Sequence, residues 1–235
     1  MIRKQLGFTL LEIMIALLLG SLVILAATQL FMANQQLFAT QQAVSRLMDD
    51  GQLMLRYMGN DIRRAGFSGG ALSEMDAVVF AGAKASSDGA VSDQLAIQFS
   101  GNRDCQGSTS PSPVDIVNVY FVDGGNLRCD GSLTAASVAL LTGVEGFRVQ
   151  YGLDTVKDGE AGPFLFVGAA SAAASDRPVV AIRVALLLGT PGNMDANDPR
   201  VWDLYDRQIS TGADQVVRRV FSSSFMIRNM NWEEI

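Results

Sequence analysis

Between Gln5 and Val44 this chain carries a single ionisable side chain, Glu12. The stretch from Phe8 to about Met32 is apolar, and at roughly 1.5 Å per residue it is long enough to cross a hydrocarbon core as a helix. A segment so apolar has to be covered, by lipid or by other helices. Arg3 and Lys4, the only basic residues before Arg46, precede it. Two positive charges ahead of an apolar helix hold the short N-terminus on the cytoplasmic side. A secretory signal peptide would need small residues before its cut. A cut after Ala27 puts the large Leu25 at the third position back, so that reading fits poorly. A plain transmembrane anchor accounts for the apolarity but not for Glu12. A carboxylate in an apolar helix is costly unless paired, so Glu12 is a functional candidate in its own right.

The residues around it carry a resemblance. Gly7-Phe8-Thr9-Leu10-Leu11-Glu12, with its basic leader and apolar tail, resembles the cleavage and methylation motif of type IV prepilins and type II secretion pseudopilins. The resemblance implies that a prepilin peptidase cuts after Gly7, that Phe8 becomes a methylated N-terminus, and that Glu12 becomes the fifth mature residue. Such a cut creates an α-amino group that is largely cationic near neutral pH. Glu12 of one subunit can then meet the Phe8 amine of its neighbour and fix the register of helices that are otherwise uniformly apolar. Loss of Arg3 and Lys4 moves the net charge from -6 to about -8.

Beyond Met32 the pattern turns amphipathic. Leu37, Val44, Met48, Leu55, Met58 and Ile62 recur at helical spacing, between Gln35, Gln36, Gln41, Gln42, Asp49, Asp50, Arg56 and Asn60. No proline occurs before Pro111, Gly51 and Gly59 weaken the helix slightly, and Gly66 is a stop signal. One helix from Phe8 to Ala65 is expected, with Gly20 and Ser21 as its soft points. Its length of about 85 Å exceeds what one domain can bury, so its first half projects.

From Ala71 onward the chain reads as strands between turns: Val78–Phe80, Gln94–Phe99, Ile116–Val122, Phe147–Leu153, Val179–Leu188 and Ser223–Ile227. Asn102–Pro113, Lys157–Gly162, Gly168–Asp176 and Gly189–Pro199 read as loops. The expected class is α+β: a long N-terminal helix, transmembrane in its first half, packed by its second half on an antiparallel sheet domain. The boundaries are 1–7 for a leader, 8–32 for the membrane or filament-core helix, 33–65 for its amphipathic continuation and 66–235 for a periplasmic or extracellular domain.

Four further segments resemble the PilW family of minor pilins: Asp61–Gly70 at the helix end, Gly143–Asp154, Val180–Leu187 and Arg218–Asn229. Membership implies incorporation into type IV pili, a part in initiating assembly, and support of twitching motility and adhesion. The implied partners are the prepilin peptidase, other minor pilins, the major pilin, the inner-membrane assembly platform and, before assembly, the lipid bilayer. A J-type pseudopilin of a type II secretion system shares the same N-terminus and plan. A membrane-anchored binding domain that never polymerises is a third possibility.

Composition excludes much else. There is no histidine, which removes the commonest general base and transition-metal ligand. A net charge of -6 disfavours nucleic-acid phosphates. Asp195, Asn197, Asp198, Asp203 and Asp206 gather in one acidic stretch, but Pro199 interrupts any calcium-loop pattern and no glutamate closes it, so a solvated loop is expected. No catalytic residues, cofactor or metal are expected. Two cysteines cannot form a four-thiolate site. A domain threaded out of the cytoplasm folds in an oxidising space, which favours a Cys105–Cys129 disulfide over two buried thiols, with both cysteines in or beside loops.

Overall fold

The structure, a computed structural model, describes residues 7–69, 75–156, 164–191 and 199–229. A 55-residue helix, α1 (Leu10–Arg64), leads into the strands β1 (Leu95–Arg103), β2 (Thr109–Asp123), β3 (Asn126–Gly131), β4 (Val138–Thr142), β5 (Val144–Asp154) and β6 (Phe164–Val167). A short helix α2 (Ala169–Ala173) precedes β7 (Val179–Pro191), β8 (Arg200–Leu204), β9 (Arg207–Thr211) and β10 (Val216–Met226). The class is α+β, as expected, but the strands form two four-stranded antiparallel sheets, β1-β2-β3-β4 and β10-β7-β5-β6, plus the hairpin β8-β9.

Thr9 starts α1: its backbone is extended and its hydroxyl accepts the Glu12 N–H at 3.3 Å. The helix therefore begins two residues later than Phe8. Within the apolar half the Ser21 and Thr28 hydroxyls donate back to the Leu18 and Ile24 carbonyls, both at 2.8 Å, so these polar groups need no outside partner. At the other end Gly66 turns the chain with φ 79° and donates its N–H to the Gln98 carbonyl at 2.9 Å. The Asn229 side-chain amide reaches back to the last carbonyls, those of Arg63, Arg64 and Ala65, at 3.2 Å each. A residue 164 positions away thus caps the helix.

The face of α1 that meets the domain is rotated from the expected stripe. Leu47, Gly51, Met54, Met58 and Ile62 are buried, Val44, Met48 and Leu55 lie at the margin, and Leu37 is 57 % exposed. Both glycines count toward that face, because rings of β10 fill the room their missing side chains leave. The helix lies on β10 and β7, and one core joins it to both sheets through Leu95, Ile97, Tyr120, Phe147, Tyr151 and Ile182. β7 pairs with β5 on one side and β10 on the other, as its nearly unbroken apolar run requires.

Several expectations about the domain need correction. Asn102–Pro113 is largely strand: β1 runs to Arg103 and β2 begins at Thr109, passing through both prolines. The N–H of Val117 donates toward β3, to Ser132 Oγ at 3.1 Å. Alternation turns the nitrogen of Pro113 to that same side, where β2 has outrun β3 and no donor is needed. Pro111 sits in the register break between Val114 and Thr109. Val78–Phe80 is no strand; Val78 alone forms an isolated bridge to Ile97. Gly168–Asp176 contains α2, and β7 continues to Pro191. β10 starts at Val216, ahead of Ser223. Cys129 lies in β3, while Cys105 occupies the turn after β1. Met1–Leu6, all of Lys157–Gly162 and residues 192–198 with Asp195, Asn197 and Asp198 lie outside the described residues.

Candidate functional site

Residues 7–39 are exposed throughout. The apolar half of α1 is long and apolar enough to cross a membrane, and none of that stretch is buried. Phe8 is 79 % exposed and Leu10 77 %, and nothing approaches Gly7 within 4 Å. The Gly7–Phe8 peptide bond thus sits just ahead of the Thr9 cap, outside the helix. Glu12 occupies the first turn, where the helix dipole favours an anion. Among the described residues no cationic side chain pairs with this carboxylate.

Cys105 and Cys129 are joined in a disulfide, buried at 3 % and 0 % exposure, that closes a separation of 24 residues. The loop it closes is tied to α1: the Tyr57 hydroxyl donates to the Cys105 carbonyl, and the Cys105 N–H donates to Asn118 Oδ1 at 3.1 Å. Asn118 in turn donates to Asp61 on α1 at 2.7 Å, as does the Tyr120 hydroxyl at 2.6 Å. Burial pushes the Asp61 carboxyl above its ordinary value, although the bonds from Tyr120 and Asn118 oppose the shift.

A second polar knot lies on the far face of the β10-β7-β5-β6 sheet. Buried Arg148 donates to Asp93 at 2.7 Å, to Asp88 at 2.8 Å and twice to Asp206, at 2.9 and 2.8 Å. Arg207 adds a bond to Asp93 at 3.0 Å. Arg148 holds the Asp206 carboxyl below the usual range. Burial alone would raise Asp88, but the N–H groups of Ala170 and Ala169 and the Arg148 fork outweigh it and bring it down. Asp206, expected in a solvated loop, is therefore a structural partner, whereas Asp203 stays at the surface and accepts from Gln208 at 2.9 Å. Nothing in the sequence marks Arg148 or Asp206, because their pairing spans 58 residues. Among the described residues no three metal-ligating side chains converge.

The geometry coincides with two family matches. Residues 2–28, which hold Gly7, Phe8 and Glu12, match the prokaryotic N-terminal methylation motif. Residues 121–229 match the family described as Type IV Pilus-assembly protein W. That segment runs from the end of β2 through β5, β7 and β10 to the capping Asn229. No curated protein matches the chain. Among solved structures, a type IV-like pilin from Thermus thermophilus is 19 % identical, aligns over 79 % of this chain and 97 % of its own, and gives a TM-score of 0.51, which shows the shared fold. Proteins of this family and fold are structural and non-enzymatic. One chain thus opens on a segment that matches the methylation motif and builds the sheet under its helix from a segment that matches the PilW family.

Proposed function

We propose that this chain is a minor pilin, processed between Gly7 and Phe8 and inserted sparsely into type IV pili, where it helps to initiate assembly and supports twitching motility and adhesion. One observation carries the reading: the exposed apolar half of α1 bears a lone carboxylate, Glu12, four residues after the amine that processing would create. An apolar rod of this length has two favourable surroundings, the lipid bilayer and a bundle of like helices. A carboxylate is costly in the first and useful in the second, where the methylated Phe8 amine of a neighbour pairs with it.

In this reading residues 1–7 are the leader, with Arg3 and Lys4 holding it in the cytoplasm. Residues 8–32 span the inner membrane before assembly, 33–65 continue the helix, and 66–235 fold in the periplasm and finish on the cell-surface pilus. The prepilin peptidase cuts, the inner-membrane assembly platform lifts the helix out of the bilayer, and other minor pilins and the major pilin receive it. The family match over residues 121–229 favours the pilus over a secretion pseudopilus.

Mass spectrometry of sheared surface filaments tests it. The expected species begins at methylated Phe8. Protein confined to the membrane fraction with Met1–Gly7 still attached would sink the proposal.

A further inference from the structure

On β7, Ile182 and Val184 point into the core, so Arg183 between them faces outward. The hairpin β8-β9 covers part of this outer face by packing Leu204 on Ala185 and Leu187, and it ends at Tyr205. Arg183 lies just past that end. Its guanidinium carbon sits 4.3 Å from the Tyr205 ring centre and 4.0 Å from that of Phe166 on β6. The guanidinium thus lies over both rings. Tyr205 is itself fixed: its hydroxyl donates to the Val184 carbonyl at 2.9 Å, and its backbone takes a φ of 60°, unusual for so bulky a residue. Arg183 Nε donates to Gln150 at 2.7 Å, and its two terminal nitrogens bond to no described residue.

That last fact separates Arg183 from Arg148 and Arg218 on this sheet and from Arg207 on the hairpin. Arg148, Arg207 and Arg218 each have carboxylate partners, whereas no described carboxylate pairs with Arg183. A guanidinium lying over two rings has already lost its rotamer freedom, so binding a carboxylate there costs little further order. Met226, 40 % exposed, and the exposed Ser224 flank it on β10. An arginine fork among aromatic and methionine side chains on an open sheet face has the composition of a protein interface centre.

We propose that Arg183, lying over Phe166 and Tyr205, receives a carboxylate side chain of an acidic partner protein that docks on this outer face. The open face selects a chain-borne carboxylate over a free one, because an acidic segment adds neighbouring contacts on Phe166, Ser224 and Met226 that a small anion cannot make. The site lies on the sheet face opposite α1.

The test uses the uniformly 15N-labelled full chain in detergent micelles, titrated with a capped hexaglutamate peptide and, separately, with acetate at equal carboxylate concentration and fixed ionic strength. Hexaglutamate should shift the Arg183 Nε–H signal and the Phe166 and Tyr205 amides, leaving Arg177 and Arg200 in place. Arg183→Lys keeps the charge but loses the fork and the stacking, and should weaken binding about tenfold while the chain stays folded at the titration temperature. Equal response to acetate would reduce the site to one for small anions and overturn the proposal. So would absence of any Arg183 shift, uniform shifts at all arginines, or Arg183→Lys binding as well as the parent chain.

Discussion

Gly51 and Phe221 share one space: a Cβ on Gly51 would lie 2.6 Å from the Phe221 ring, closer than any real contact allows. Gly59 and Phe225 repeat the relationship at 2.3 Å. Eight helical residues span about 12 Å and four strand residues about 13 Å, so the two notches of α1 match the two rings of β10 in spacing. The helix is located along the strand by shape as well as by apolarity.

Gly51→Ala is expected to destabilise the domain by about 1–3 kcal/mol, although the same change in a free helix would stabilise it by roughly 0.5–1 kcal/mol. The clash at Gly51 falls on the root of a buried ring that cannot swing away, whereas at Gly59 it falls on the far edge of the partly buried Phe225. Gly59→Ala should therefore cost less. Urea unfolding of both variants checks the order, and a stabilised Gly51→Ala protein would show that the notch is not a constraint.

Reducing the Cys105–Cys129 bond should lower stability by about 3 kcal/mol, the chain-entropy value for a loop of this size. Since Tyr57 anchors that loop to α1, amide exchange in the helix around residue 57 should quicken as well. Unfolding with and without reductant measures the first effect. Protection of the helix that is blind to reductant would sever the proposed link.

Acid and neutral limbs of the stability profile have separate owners. The Asp61 carboxyl titrates above its unfolded value of 3.8, so through that window the folded state binds more protons and stability falls as pH rises. Asp88 and Asp206 titrate below theirs, so their contribution is present above the ordinary carboxylate range and is lost as pH drops through their lowered values. Stability should peak in mild acid. Asp61→Asn keeps an acceptor for Tyr120 and Asn118 and should flatten the neutral limb while leaving the acid limb alone. An unchanged neutral limb in urea titrations of this variant would refute the assignment.

Asn229→Ala removes the amide that caps α1 and should cost about 1 kcal/mol. Asn229→Asp should cost more, because a carboxylate cannot donate to the Arg63, Arg64 and Ala65 carbonyls and meets the negative end of the helix dipole. Thermal melts of the two variants decide the order, and an aspartate as stable as the alanine would point to packing as the source.

Features that depend on neighbours in the chain were legible in the sequence. The apolar run, the Gly7-to-Glu12 motif, the uninterrupted helix with its stop at Gly66 and the apolar centre of β7 are local patterns of hydropathy and propensity, and they suffice for the fold class and the candidate processing site. What the tertiary structure alone decided involves residues far apart: which face of α1 is buried, why Gly51 and Gly59 are there, the Asn229 cap, the two strand prolines and the pairing of Arg148 with Asp206. A glycine filled by a distant ring and a proline turned to a free edge look, in sequence, like a weak helix and a loop. Their meaning comes from packing and register, which the chain acquires only when its distant segments meet.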